Sequence, residues 1–170
     1  MNAVTRIAAL TLALLAAGCV STRRPAPLPD ASAFDPIAFF DSRTQGTGIL
    51  RIAFHHAEHT LVEGSGHAEG ADAIVLDQTV RRGDKTPTHR EWRLTRIAPG
   101  RYTGTLSDAV GPVTGDVRND RLHLAFRTKG GLGAQQWLVL QPGGHEARNV
   151  LILRKHGMPV ARLDETIVRQ

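Results

Sequence analysis

From Gly46 onward the chain falls into short segments in which apolar and polar residues alternate, and Gly, Pro, Asn and Asp mark the breaks between them. A period of two places alternate side chains on opposite faces of a strand, whereas a helix needs a period near 3.6. The clearest case is Arg121 to Arg127: Leu122, Leu124 and Phe126 share one face, Arg121, His123 and Arg127 the other. Asn119-Asp120 precedes it as a hairpin turn from a strand carrying Val113 and Val117, since Asn and Asp tolerate the positive φ of tight turns. Further strands are predicted over Ile49 to His55, His59 to Gly66, Ala73 to Arg81, His89 to Ile97, Tyr102 to Leu106, Gln136 to Leu140, Asn149 to Arg154 and Val160 to Val168, with Pro99-Gly100 and Pro142-Gly143-Gly144 as turns. One short helix is expected, with Asp35 as its cap, Pro36 in its first position, and Ile37, Phe39 and Phe40 along it.

Some nine or ten sequential strands, joined by connections too short for crossovers, predict an all-β fold: a small antiparallel up-and-down barrel that removes its own edges. A sandwich is the second architecture. A membrane-spanning barrel is disfavoured, because aromatic residues make up only 5% of the chain and arginines recur on many strands.

The amino-terminus constrains location. Arg6 precedes an uncharged run, Ile7 to Ala17, that is too short for an ordinary membrane span. It ends in Leu14-Leu15-Ala16-Ala17-Gly18-Cys19, which resembles the lipobox at which a cysteine thiol is acylated and the chain cut just before it. The common Leu is displaced one place, to Leu15. Residues 1–18 are therefore expected to be a lipoprotein signal peptide, Cys19 the lipidated residue, 19–33 a tether with Pro25, Pro27 and Pro29, and 34–170 one barrel domain. Val20, where an Asp would signal retention in the inner membrane, favours a periplasm-facing anchor in the outer membrane. A single lipid-occupied cysteine leaves no internal disulfide, so core packing must hold the domain.

Removing the signal loses Arg6 alone among charged residues and lowers the net charge from +5 to +4. Arginines are scattered, and only Lys85, Lys129 and Lys155 are lysine. That scatter argues against a nucleic-acid partner and leaves attraction to anionic lipid open.

Candidate chemistry is sparse. His55, His56, Glu58, His59 and His67 include metal-ligand types, but His55 and His59 would share a face only on a helix. No metal or cofactor is expected, and solvated hairpin histidines are the better reading. Ser42, Ser65 and Ser107 lack the context of a nucleophile, and Asp77, Glu91 and Asp108 would serve as acid or base only if they converged in a cleft. No catalytic residue is assigned. Arg90, Trp92, Asp108, Trp137 and Asn149 are the candidate ligand-binding residues, because the tryptophans offer large apolar surfaces with one donor and the others orient polar groups. Arg90 and Trp92 fall on one strand face.

The order of several motifs resembles a family of bacterial lipoproteins known as domain of unknown function 3833. The marks are Phe34 with Phe39-Phe40 and Gly46; Leu76-Asp77 with Gly83; Arg90-Glu91-Trp92-Arg93-Leu94; Tyr102-Thr103-Gly104 with Asp108, Val110, Gly111 and Gly115; Trp137 and Leu140; and Asn149 with Lys155 and Gly157. The resemblance spans Phe34 to Arg169 and implies a calycin- or lipocalin-like barrel. Members tend to carry acidic residues just before the later tryptophan, where this chain has Gln135-Gln136.

Three functions follow: a binder of a small apolar or lipid-like ligand, an envelope-assembly or protein-interaction lipoprotein with a filled barrel, and, least favoured, an enzyme. Ala53, Gly64, Gly66, Ala73, Gly104, Gly115 and Ala125 would leave interior space if they point inward, whereas inward Leu, Phe and Trp would close it.

Overall fold

A computed structural model describes residues 20–26 and 33–170. Cys19, the residues before it and 27–32 lie outside the described residues. Ten antiparallel strands follow one short helix: α1 (Pro36–Phe40), β1 (Arg43–Ile52), β2 (Glu58–Ala68), β3 (Ala73–Arg82), β4 (Thr88–Ala98), β5 (Arg101–Leu106), β6 (Val113–Arg118), β7 (Arg121–Arg127), β8 (Gly133–Leu140), β9 (Glu146–Lys155) and β10 (Met158–Arg169). Each pairs with its neighbours in sequence, and β10 returns to β1, so the sheet closes as an up-and-down barrel and not as a sandwich.

The predicted strands all form, with ends displaced where alternation is weak. β1 begins at Arg43, six residues before its expected start, because Gly46 and Gly48 interrupt the apolar row. It stops at Ile52, and Phe54 and His55 lie beyond it in a turn. β8 starts at Gly133 and β9 at Glu146, both three residues early. Asn119 takes φ 54° in the β6–β7 turn, as its chemistry predicts.

Inward residues along the strands are mostly apolar, including Ile74, Leu76, Trp92, Leu94, Tyr102, Leu106, Val113, Leu122, Leu124, Leu138 and Ile167. Burying each such side chain is worth roughly 1.5–3 kcal/mol, which lets the domain stand without a disulfide. The outer wall carries ion pairs such as Arg51–Asp164 (2.9 Å) and Arg93–Glu91 (2.9 Å). A charged exterior around an apolar interior is the reverse of a membrane-spanning barrel.

The two ends of the barrel differ. At one, α1 forms a plug. Asp35 caps it by accepting from the backbone N–H groups of Ile37 (3.0 Å) and Ala38 (3.4 Å), and Pro36 opens it. The plug is tied to strand ends by the Gly66 N–H to the Ser42 carbonyl (3.0 Å) and the Ala68 N–H to Asp41 Oδ1 (2.9 Å). Phe34, Ile37, Phe39 and Phe40 then pack into the core. The opposite end is formed by the β1–β2, β3–β4, β5–β6, β7–β8 and β9–β10 turns, and no helix covers it among the described residues. There Leu50, Ala161 and Leu163 are buried, while Ile52, Leu151 and Leu153 packed beside them are only partly covered.

Candidate binding site

A belt of polar side chains crosses the middle of the apolar interior. Strand register explains it. Gly64, Gln78 and Arg90 are aligned across β2, β3 and β4, and Gly48, Glu165, Asn149 and Leu138 across β1, β10, β9 and β8. Gln136 joins from β8, opposite Leu124. Each polar residue takes an inward place in a row that is otherwise apolar: Ile74-Leu76-Gln78, Leu163-Glu165-Ile167 and Arg90-Trp92-Leu94.

Gln78 Oε1 accepts from Arg90 Nε (2.7 Å) and Trp92 Nε1 (3.0 Å), fixing the guanidinium and the indole together. Asn149 Nδ2 donates to Glu165 Oε2 (2.7 Å). Glu165 Oε1 and Asn149 Oδ1 are buried with no hydrogen-bond partner among the described residues. A carboxylate fits here because β1 has glycines beneath it: a Cβ at Gly46 would stand 2.4 Å from Glu165 Oε1, and one at Gly48 2.9 Å from Glu165 Cβ.

Burial governs the electrostatics. Arg90 is half-buried; desolvation pulls its pKa down, opposed by the negative charges of Glu165 and Asp108. Glu165 is pushed up by burial, against the hydrogen bond from Asn149 and the charge of Arg90. A raised carboxyl pKa has a definite sign. The stability it contributes is complete below the ordinary value of 4.5 and is lost as pH rises through the elevated folded value. The permanently neutral Glu165→Gln should therefore gain stability relative to the native protein as pH rises from 4.5 toward neutrality, measured by urea denaturation. Parallel stability profiles would contradict this.

The belt faces a cavity of about 50 Å3, whose other walls include Phe40, Ile74, Leu76, Leu122, Leu138 and Ile167. That is room for a few waters at about 10–15 Å3 each, not for an acyl chain. The inward glycines do not leave space. A Cβ at Gly66 would lie 1.9 Å from the Phe40 carbonyl oxygen, one at Gly104 1.9 Å from the Arg93 carbonyl oxygen, and one at Gly115 3.0 Å from Leu124. Their lack of a side chain is used for close approach. Ala73 and Ala125 point outward by alternation, and Ala53 lies past the end of β1.

Of the candidate residues, Arg90, Trp92 and Asn149 meet inside the barrel. Asp108 sits exposed in the β5–β6 turn, where its charge reaches Arg90. Trp137 is not among them. It lies on the outer wall with Val150 and Ile152, stacked on His123 at 5.1 Å, with the Arg24 guanidinium 5.1 Å from its ring centre. His123 in turn contacts Asp116 (3.0 Å) and Gln135 (2.7 Å). Glu165, Gln78 and Gln136 belong to the site and were not singled out from sequence; a lone polar residue in an apolar inward row was the available signal. Gln136 lines the cavity and Gln135 faces outward, so the Gln135-Gln136 pair divides between the two faces.

The histidine segment does not converge: His55, His56, His59 and His67 are exposed, and Glu58 is held by Arg82 (3.1 Å) and Lys85 (2.5 Å). Glu91 pairs with Arg93, and Ser107 donates no chemistry beyond accepting from the Glu91 N–H (3.0 Å).

Among solved structures, an S-type phycobiliprotein lyase from Guillardia theta is similar, with a TM-score of 0.60 at 7% identity over 79% of this chain and 90% of that one. Likeness at that identity concerns the fold. No curated protein matches. A family model described as "Protein of unknown function (DUF3833)" matches residues 13–167, and the chain belongs to that family.

Proposed function

We propose that this protein is a periplasm-facing lipoprotein of the outer membrane, held by acylated Cys19, whose barrel binds the polar end of a small amphipathic, lipid-like molecule. The observation that carries the reading is the inward belt of half-buried Arg90 and Gln78 and buried Asn149 and Glu165, with two unpartnered polar atoms, set in an apolar barrel with one unplugged end. Desolvated polar groups cost stability unless paired. A ligand that brings a carboxylate or other anionic group to the guanidinium offsets that cost, since charge-assisted bonds are strongest where water is excluded. Leu50, Leu163 and Leu151 lie one inward step from Gly48, Glu165 and Asn149 toward the unplugged end, and Ile52 and Leu153 lie beyond them. They supply the surface for the apolar part. Because the cavity is small, binding requires side chains at that end to part.

The barrel likeness to a phycobiliprotein lyase supports the scaffold and leaves ligand identity to experiment. Native mass spectrometry of the mature protein from its own envelope should reveal one acyl-bearing molecule per barrel; a bare chain, with no uptake from added acyl ligands, would end the reading. Replacing Cys19 with Ser should abolish acyl labelling and release the chain from membranes. Labelling that persists would rule out the anchor.

A further inference from the structure

Among the described residues five large apolar side chains are exposed, and three of them lie apart from one another at the unplugged end: Phe54 (91% exposed), Met158 (67%) and Val110 (57%). Phe54 is in the β1–β2 turn, Val110 in the β5–β6 turn, and Met158 opens β10. Isolated apolar residues are ordinary on a surface. Three at separate places on one rim, beside the unplugged opening, are a shared feature of that rim.

The charge at this rim is mixed, with Glu58, Asp84 and Asp108 among the cations, and basic on balance. All three lysines of the chain stand at this rim: Lys85 in the β3–β4 turn, Lys129 in the β7–β8 turn and Lys155 at the end of β9. Arg127 and Arg154 close the adjoining strands. Lysine is the flexible, strongly hydrated cation that suits a headgroup layer; Lys85 is paired with Glu58 (2.5 Å), while Lys129 and Lys155 form no ion pair among the described residues. At the plugged end Asp35, Asp41, Glu69 and Asp72 are balanced by arginines at the strand ends, among them Arg43, Arg101, Arg118 and Arg121.

A third observation fixes which way the chain leaves. Residues 20–26 run along the outer wall. Arg162 Nη1 donates to the carbonyls of Ser21 (3.2 Å) and Arg23 (2.7 Å), Arg24 lies over Trp137, and Arg121 Nη1 reaches the Pro25 carbonyl (3.5 Å). Arg121 opens β7 at the plugged end, so the segment rises from there toward the other rim. At its top Val20 shares a surface pocket with Ile52, Ala53, Phe54 and His55. The position one peptide bond before Val20 is Cys19.

We infer that the unplugged rim, with Phe54, Val110 and Met158 at its tips and lysines around them, is a membrane-docking face seated on an anionic lipid bilayer. The inference rests on the anchor at Cys19 proposed above. Aromatic and aliphatic tips enter the boundary between headgroups and acyl chains while cations stay among the headgroups. Seated this way, the barrel opens directly onto lipid, and an amphiphile can pass between bilayer and polar belt without crossing water.

The test uses the mature lipidated protein reconstituted into vesicles of phosphatidylethanolamine and phosphatidylglycerol. Met158→Cys and, at the opposite end, Ile97→Cys are labelled in turn with an environment-sensitive fluorophore. Both native residues are exposed, so neither change disturbs the core. The Met158 label should lose most of its intensity to bromine-substituted acyl chains and resist aqueous iodide, and the Ile97 label should do the reverse. Reversing the three lysines to Glu should weaken the lipid quenching at position 158. If the protein floats with the vesicles while the Met158 label is as open to iodide as the Ile97 label, docking is refuted and the anchor stands. If the protein fails to stay with vesicles after a salt wash, the anchor and the docking fall together.

Discussion

Gly66→Ala should unseat the helical plug and destabilise the domain by about 3 kcal/mol or more, beyond the ordinary cost of overpacking. The new methyl would fall 1.9 Å from the Phe40 carbonyl oxygen and 2.9 Å from its carbon. Both are backbone atoms at the end of α1, held by the Gly66 N–H to Ser42 carbonyl bond immediately alongside. No rotamer relieves the clash, so the helix must move, and Phe39 and Phe40 move with it. For a domain of this size the loss corresponds to a fall in Tm of roughly 6–12 °C, at about 2–4 °C per kcal/mol. Gly64→Ala is the control. Its methyl meets Thr44 Oγ1 at 2.4 Å, the end of a side chain that can rotate, so its melting point should fall much less. Equal shifts in calorimetry would mean that the plug is not what Gly66 protects.

The second large effect is expected on binding. Arg90→Met keeps an unbranched apolar stem and removes the charged head. Stability should change little, because replacing a desolvated cation with an apolar group of similar volume is often neutral or favourable. Trp92 still donates to Gln78 Oε1, so the indole keeps its place. Affinity for a carboxylate-bearing amphiphile should nevertheless fall about 30-fold or more, the equivalent of at least 2 kcal/mol for losing one partner of a buried charged contact. Competition with a fluorescent fatty acid measures it. A tenfold loss of stability with unchanged affinity would assign Arg90 to the scaffold instead.

The architecture was legible because it depends on what sequence states directly. Alternation such as Leu122-Leu124-Phe126 needs no partner to be recognised, and Asn119-Asp120 and Asp35-Pro36 carry their backbone chemistry with them. β1 was harder. Its inward row reads Thr44-Gly46-Gly48-Leu50, and the two glycines have no side chain to declare a face; they are there to admit Glu165 from the neighbouring β10. That reason is nonlocal.

The same holds for the site. Arg90 and Trp92 could be placed on one face from their spacing, but the partner that joins them, Gln78, is on another strand, and only the β3–β4 register sets it opposite Arg90. Asn149 could be singled out as polar, while its partner Glu165 lies across a further pairing. Trp137 shows the opposite limit. A tryptophan reads as apolar on any face, and here it serves the outer wall, under the segment that follows Cys19. Its neighbours would have shown this, since Gln136 and Leu138 fill the inward places on either side.

The polar belt is proposed above as a ligand site inside the barrel. Its most direct test is NMR of the mature protein in lipid nanodiscs, titrated with fatty acids labelled with 13C at the carboxyl carbon. A bound carboxyl resonance distinct from that of fatty acid in the bilayer is expected, saturating at one per barrel and absent in Arg90→Met. Only the bilayer resonance across a range of chain lengths, or a bound resonance that Arg90→Met leaves unchanged, would contradict it.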